Sequence, residues 1–151
     1  MPSRSTWPDE VRDLTPWVIK NLDVLASHLE MKLEFVQREA RVSGFRADIL
    51  ARDTLGRRVV IENQFGPTDH AHLGQIVSYA CEASADVVVW LAAGGAPAVR
   101  PEHERTLMQL NKRFAGSTAF FAIELEVCSE LRSIVEPEGP IEPRFCVAVR
   151  P

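Results

Sequence analysis

The stretch Phe45-Arg-Ala-Asp-Ile-Leu-Ala-Arg52 and, after a turn, Arg57-Arg-Val-Val-Ile-Glu-Asn-Gln-Phe65 decides the fold of this chain. Its composition and alternation are typical of two adjacent β-strands. A carboxylate inside such an apolar strand is costly to bury unless donors or cations surround it, so Asp48 and Glu62 are candidate functional residues. Regular alternation places three side chains of each strand on the face that carries its carboxylate. They are Arg46, Asp48 and Leu50 on the first strand and Val60, Glu62 and Gln64 on the second.

The composition predicts one soluble globular domain that covers residues 1–151, with residues 1–10 flexible. The chain has 151 residues, of which 46% are hydrophobic and 25% charged. No apolar run approaches the roughly 18 residues of a membrane span, and the start lacks the apolar core of a signal peptide. We therefore expect a cytoplasmic protein with no membrane partner.

The net charge of −4 argues against tight nonspecific binding of nucleic acid by the chain as a whole. The charge is unevenly spread, however. Between residues 38 and 58, six arginines stand against three acidic residues. This stretch predicts a basic rim beside the two candidate carboxylates.

The remaining sequence predicts further helices and strands around the two central strands. Apolar residues at helical spacing indicate a helix from about Pro16 to Leu29, with Thr15 as its N-cap. Thr68 or Asp69 can cap a second helix that begins near His70. The other predicted elements are strands at about Met31–Val42, Asp86–Ala92 and Phe121–Val127, a helix at about Glu102–Phe114, and edge strands at Arg132–Val135 and Phe145–Val149. The predicted fold class is α/β, with a central mixed sheet flanked by helices in α-β-β-β-α-β order.

This order of elements, with Asp48 followed on the next strand by Glu62-Asn63-Gln64, resembles the PD-(D/E)xK nuclease superfamily. Gln75-Ile-Val-Ser-Tyr79 matches the Gln-x-x-x-Tyr signature of its RecB-like branch. Ile61-Glu-Asn-Gln64 and Thr68-Asp-His-Ala-His-Leu-Gly-Gln75 are similar to runs in a widespread group of small bacterial proteins. The resemblance covers about Pro16 to Glu126 and implies a restriction-endonuclease-like core.

The resemblance also implies a function and a set of site residues. In that superfamily an Asp and a Glu-x-Lys hold a divalent metal and an attacking water. Asp48, Glu62 and the carbonyl of Asn63 would accordingly bind Mg²⁺ or Mn²⁺, and Gln64, Gln75 and Tyr79 would complete the catalytic site. A carboxylate-held Mg²⁺ neutralises charge on a phosphate oxygen and activates water, which phosphodiester hydrolysis requires. The implied function is metal-dependent hydrolysis of DNA.

The chain departs from the superfamily at Gln64, where lysine is usual. Glutamine can hydrogen-bond but supplies no positive charge, and losing one electrostatic group commonly costs about 10²–10³ in rate. His70, His72 or Arg46 are candidates for the missing charge. The departure keeps a second function open, namely a nuclease-fold module that binds nucleic acid or a partner protein without cutting. A homodimer also stays open, because so short a chain has little surface for both gripping and cutting DNA.

Each candidate residue also has a purely structural interpretation. Asp48 and Glu62 could form salt bridges with Arg46 or Arg58 on a half-exposed sheet. Gln75 and Tyr79 could be the polar margin of an amphipathic helix. His70 and His72 are two residues apart and point away from each other on a helix, which favours capping or surface roles over a zinc site.

Overall fold

The computed structural model describes residues 13–42, 44–94, 98–127 and 143–151, except for the side chains of residues 42, 127 and 143. The helices are α1 (Thr15–Lys20), α2 (Leu22–His28), α3 (His70–Cys81) and α4 (Pro101–Arg113). The strands are β1 (Leu33–Val42), β2 (Phe45–Asp53), β3 (Arg58–Phe65), β4 (Val87–Ala93), β5 (Ala119–Val127) and β6 (Pro143–Val149). Among the described helices, none is long and apolar enough to cross a membrane.

The six strands form one sheet in the order β1-β2-β3-β4-β5-β6. Strands β3, β4 and β5 run parallel, and the other neighbouring strands are antiparallel. Helices α3 and α4 make the two crossovers between parallel strands and pack on one face, around Ile76, Tyr79 and Leu107. Helices α1 and α2 cover the other face. The predicted α/β class, with a mixed sheet flanked by helices, is confirmed.

The N-terminal helix differs from the prediction of one continuous helix. It is broken at Asn21, whose φ of −107° leaves the helical range and whose Nδ2 donates to the carbonyl of Trp17 at 2.8 Å. An asparagine side chain competes in this way with the bonds that continue a helix. The predicted N-cap is also wrong, because Leu14 precedes the helix and Thr15 lies buried in its first turn. The predicted strand at Arg132–Val135 lies outside the described residues, whereas the edge strand at Phe145–Val149 is confirmed within β6.

Strands β2 and β3 pair over only half of their length. Their antiparallel register runs from Arg52 opposite Arg58 to Ile49 opposite Ile61 and goes no further, although both strands continue. The alternation of β2 also breaks here, because Ala47 and Leu50 pack in the core under α3 while Ile49 packs in the opposite core. The prediction that regular alternation continues through Asp48 is therefore wrong. Beyond Ile49 the two strands diverge and leave a gap.

Candidate active site

Asp48 occupies the gap between the diverging strands. Its Oδ2 accepts a hydrogen bond from the backbone N–H of Asn63 at 2.7 Å, in place of a bond from strand to strand. The N–H and C=O of one strand residue point to the same side of the strand. The Asn63 carbonyl is therefore directed into the same gap as the Asp48 carboxylate.

Glu62 approaches this gap from the α3 side of the sheet. The hydroxyl of Tyr79 lies 3.0 Å from Glu62 Oε2 and 3.0 Å from the carbonyl oxygen of Arg46. Burial raises the pKa of Tyr79, and the negative charges of Glu62 and Asp48 raise it further. The hydroxyl therefore stays protonated as a donor, and both carboxylates lie close enough to act on it electrostatically.

Gln64 lies on the same side of β3 as Glu62, but other groups engage its amide. The side chain is 3% exposed. Its Nε2 donates to the Pro67 carbonyl at 2.9 Å and to Asp69 Oδ2 at 2.8 Å. Its Oε1 accepts from the indole N–H of Trp90 at 2.9 Å. Both amide protons and the amide oxygen thus have partners within the fold.

Asp69 joins the start of α3 to this network. It is the N-cap of the helix, which decides between the two predicted candidates Thr68 and Asp69. Its Oδ1 accepts from the backbone N–H and the Nδ1 of His72, each at 2.8 Å. Burial pulls the pKa of Asp69 upward, but the hydrogen bonds from His72 and Gln64 outweigh it and leave the pKa below its usual value. Sequence reasoning gave Asp69 as one of two possible caps and missed its hydrogen bond to Gln64.

The structure places Gln75 at the surface of α3, one helical turn before Tyr79, and turns the side chain of Asn63 away from the gap. Gln75 is exposed on α3 and hydrogen-bonds through its side chain to none of the described residues. The Asn63 side chain points to the opposite face, where Nδ2 donates to the Thr15 hydroxyl at 3.0 Å. Its buried Oδ1 has no hydrogen-bond partner within the described chain. The side chain of Asn63 thus ties α1 to β3, whereas its backbone faces the gap.

The salt bridges considered from the sequence are not formed. In the described part of the chain, neither Arg46 nor Arg58 pairs with Asp48 or Glu62. Arg58 instead donates to the carbonyl of Ala83 at 2.7 Å, and its backbone N–H donates to Asp86.

A divalent ion at this site would depend on two carboxylates and a peptide carbonyl. No group of three His, Cys, Asp or Glu side chains suited to a metal occurs among the described residues. Asp48, Glu62 and the Asn63 carbonyl offer oxygen atoms alone, which suits a hard cation such as Mg²⁺ that keeps several of its waters. The oxygen donors of this site therefore suit Mg²⁺.

Sequence reasoning missed a histidine pair beside the site. His103 is 2% exposed, and its Nδ1 lies 2.6 Å from the Thr68 hydroxyl oxygen. Its Nε2 lies 2.9 Å from Nδ1 of His70. The available signal was the position of His103 one helical turn before the inward-facing Leu107, which predicts burial. Its partner is 33 residues away, which no local pattern reveals.

Comparisons with known proteins identify the fold and no family. No family model matches the sequence, and no curated protein matches it. A repair endonuclease from Pyrococcus abyssi superposes with a TM-score of 0.50 and 18% identity, over 64% of this chain and 41% of that protein. SfsA from Pyrococcus furiosus, solved in complex with Ca²⁺, gives a TM-score of 0.45 and 16% identity over 74% of this chain and 57% of its own. The chain thus spans less than two thirds of either protein. The first match shows a nuclease-like α/β fold.

Proposed function

We propose that this protein hydrolyses phosphodiester bonds in DNA, with a divalent cation, where β2 and β3 diverge. The observation that carries the proposal is the convergence of Asp48 and Glu62, from neighbouring strands, near the hydroxyl of Tyr79. The Asn63 carbonyl faces the same gap. The nuclease-like fold is consistent with this proposal.

The protein groups have distinct roles in this proposal. Asp48, Glu62 and the Asn63 carbonyl would hold Mg²⁺ or Mn²⁺. When bound, the ion supplies charge neutralisation at a phosphate oxygen and a more acidic water. The N–H of Asn63 orients the Asp48 carboxylate, and the hydroxyl of Tyr79 orients that of Glu62. Both donors are uncharged, so they fix the carboxylates without cancelling the charge that attracts a cation.

Two arginines beside the gap support DNA as the partner. Arg41 and Arg46 lie directly opposite each other in the β1–β2 register, an arrangement that is destabilising for like charges. Both are exposed, and neither forms an ion pair with a described residue. A phosphate backbone would offset their repulsion. The basic rim is smaller than the sequence predicted, because Arg57 and Arg58 lie at the far end of the β2–β3 pair.

The decisive experiment measures cleavage of supercoiled and linear DNA with Mg²⁺ or Mn²⁺. The wild-type protein should nick or degrade the DNA, and Glu62→Ala should slow this by at least about 10²-fold. Glu82→Ala, which removes an exposed glutamate at the end of α3, is the matched control and should cleave normally. If folded wild-type protein and the control cleave no DNA form with either metal, the proposed hydrolysis is wrong.

A second candidate function is a nuclease-fold module that binds DNA without cutting it. The engagement of Gln64 by Pro67, Asp69 and Trp90 favours this candidate, because the amide is then held away from a water or phosphate. A gel-shift measurement on the same samples separates the two functions. DNA that is retained by the wild-type protein and stays intact with both metals would support the non-cleaving module.

A further inference from the structure

A cavity of about 190 Å³ lies beside the candidate active site, on the side of the sheet that carries Glu62. It is lined by Thr68, Asp69, His70, Arg100, Glu102 and His103. Asp69 lines the cavity and accepts a hydrogen bond from Gln64. Gln64 follows Glu62 by two residues on β3, so the two residues lie about 7 Å apart along the strand. The cavity therefore adjoins the diverging strands without sharing their carboxylates.

A buried chain of hydrogen bonds reaches the cavity through two histidines. Thr68 is fully buried, and its hydroxyl oxygen accepts from the backbone N–H of Arg100 at 3.0 Å. The same oxygen lies 2.6 Å from His103 Nδ1. His103 Nε2 in turn lies 2.9 Å from Nδ1 of His70.

The direction of this chain follows from the single proton of the Thr68 hydroxyl. Among the described residues, its only acceptor is Nδ1 of His103. Burial lowers the pKa of His103, and the positive charge of the nearby Arg100 lowers it further, so the ring is neutral and carries its proton on Nε2. That proton is donated to His70 Nδ1, which leaves Nε2 as the ring nitrogen of His70 that carries a proton. The Nε2–H of His70 has no partner within the described chain.

Arg100 supplies the positive charge at the same cavity. Its Nε donates to the Thr68 carbonyl at 3.0 Å, which anchors the guanidinium, and its two terminal nitrogens bond to none of the described residues. Both carboxylates of the lining are accounted for. The oxygens of Asp69 accept from His72 and Gln64, whereas Glu102 is exposed in the first turn of α4. His70 and Arg100, which are held by His103 and Thr68, thus both line this cavity.

We propose that this cavity binds a phosphoryl group of the nucleic-acid substrate, through the Nε2–H of His70 and the guanidinium of Arg100. Thr68 and His103 are positioning residues that orient His70. Arginine is suited to this ligand, because its planar fork can donate two parallel hydrogen bonds to phosphate oxygens. The inference rests on the proposed function, since it assigns a second contact to the same substrate.

The test measures phosphate binding by NMR in EDTA, without a divalent ion, so that the carboxylate site takes no part. The probes are inorganic phosphate and the trinucleotide dT3 with and without a 5′-phosphate. Arg100→Gln should weaken binding at least tenfold, and Arg113→Gln, an exposed arginine at the other end of α4, should change it less than twofold. Glu102→Gln removes an exposed opposing charge and should tighten binding severalfold. This variant keeps the test valid if Arg100→Gln fails to fold.

The three probes distinguish the sources of the phosphoryl group. Tighter binding of 5′-phosphorylated dT3 assigns a terminal phosphate, and equal binding of both trinucleotides assigns a backbone phosphodiester. Binding of inorganic phosphate but of neither trinucleotide would contradict a nucleic-acid ligand. Imidazole ¹⁵N shifts should show His70 and His103 both protonated on Nε2. Equal binding by the Arg100→Gln and Arg113→Gln variants, or a proton on Nδ1 of His70, would overturn the inference. A protein that cleaves DNA but fails this test loses only the phosphate site, and one that binds here without cleaving loses only the proposed hydrolysis.

Discussion

The two ends of the β2–β3 pair differ in the groups that donate hydrogen bonds to their carboxylates. At the closed end, Asp53 accepts from the backbone N–H groups of Leu55 and Arg57, at 2.9 and 2.8 Å. It also accepts from the guanidinium Nε of Arg57 at 2.6 Å, and its side chain is 2% exposed. At the open end, Asp48 accepts from a peptide N–H and Glu62 from a protonated hydroxyl.

The difference separates a structural carboxylate from a candidate functional one. The charge of Asp53 is balanced by an arginine four residues away, so the ion pair lies within the turn itself. The peptide N–H on Asp48 and the hydroxyl on Glu62 orient each carboxylate and add no positive charge of their own. Burying carboxylates costs stability, which a protein tolerates where their charge is used. Two carboxylates oriented in this way by neighbouring strands are thus a stronger sign of a cation site than burial alone.

The largest predicted difference between the two ends comes from matched substitutions that remove charge and keep shape. Asp53→Asn should lower the free energy of unfolding by about 3 kcal/mol, because an amide nitrogen would then face the guanidinium of Arg57. Glu62→Gln keeps an oxygen that accepts from Tyr79, so its stability should change by less than about 1 kcal/mol while DNA cleavage falls by at least about 10²-fold. Urea unfolding and the plasmid assay measure the two effects.

The pH dependence provides the control for this comparison. Burial pulls the pKa of Asp53 upward, but hydrogen bonds from Arg57 outweigh it and hold the pKa below its ordinary 3.8. A lowered folded-state pKa means that the stabilisation is complete above pH 3.8 and is lost as the pH falls through the folded-state value. The difference in the free energy of unfolding between wild type and Asp53→Asn should therefore decrease below pH 3.8. A difference that stays constant as the pH is lowered would show that the charge of Asp53 does not stabilise the closed end.

A second prediction concerns Gln64, which flanks the open end at the position where the sequence resemblance leads us to expect lysine. Gln64→Lys should destabilise the protein by about 2 kcal/mol, because the buried indole N–H of Trp90 loses its acceptor. The new ammonium would be drawn to Asp69 and the Pro67 carbonyl, so we expect no gain in cleavage rate. Urea unfolding and the rate of plasmid cleavage measure the two effects.

Combining Gln64→Lys with Trp90→Phe tests whether the unpaired indole N–H causes this loss of stability. If it does, the losses of unfolding free energy from the two substitutions should be non-additive. Gln64→Lys should then destabilise the Trp90→Phe variant less than it destabilises the wild type. A tenfold rise in cleavage by Gln64→Lys at unchanged stability would contradict this account. A lysine side chain at position 64 would then have room to reach the substrate.

The sequence predicted what is local and missed what depends on tertiary contacts. Alternation and helical spacing identified the central strands and the helices, because both patterns depend on neighbours within a few residues. The order of these elements predicted the mixed sheet, and Asp69 was one of two residues proposed as the cap of α3. The break in alternation at Asp48 was missed, since it arises where two strands separate rather than from either strand alone. The partners of Gln64 and His103 were also missed. Trp90 is 26 residues from Gln64 and His70 is 33 from His103, so only the fold brings them together.

The smallest predicted effect tests whether the neutral donor at the open end orients Glu62. Tyr79→Phe removes the hydroxyl beside Glu62 and the Arg46 carbonyl and keeps the ring that packs edge-on against Phe45, with centroids 6.1 Å apart. The free energy of unfolding should fall by about 1 kcal/mol. Cleavage should need a higher Mn²⁺ concentration, because Glu62 would no longer be held in one position, while DNA affinity without metal should be unchanged. A lower rate at saturating Mn²⁺, with the Mn²⁺ requirement unaltered, would instead place the hydroxyl on the reacting phosphate and give Tyr79 a direct part in the chemistry.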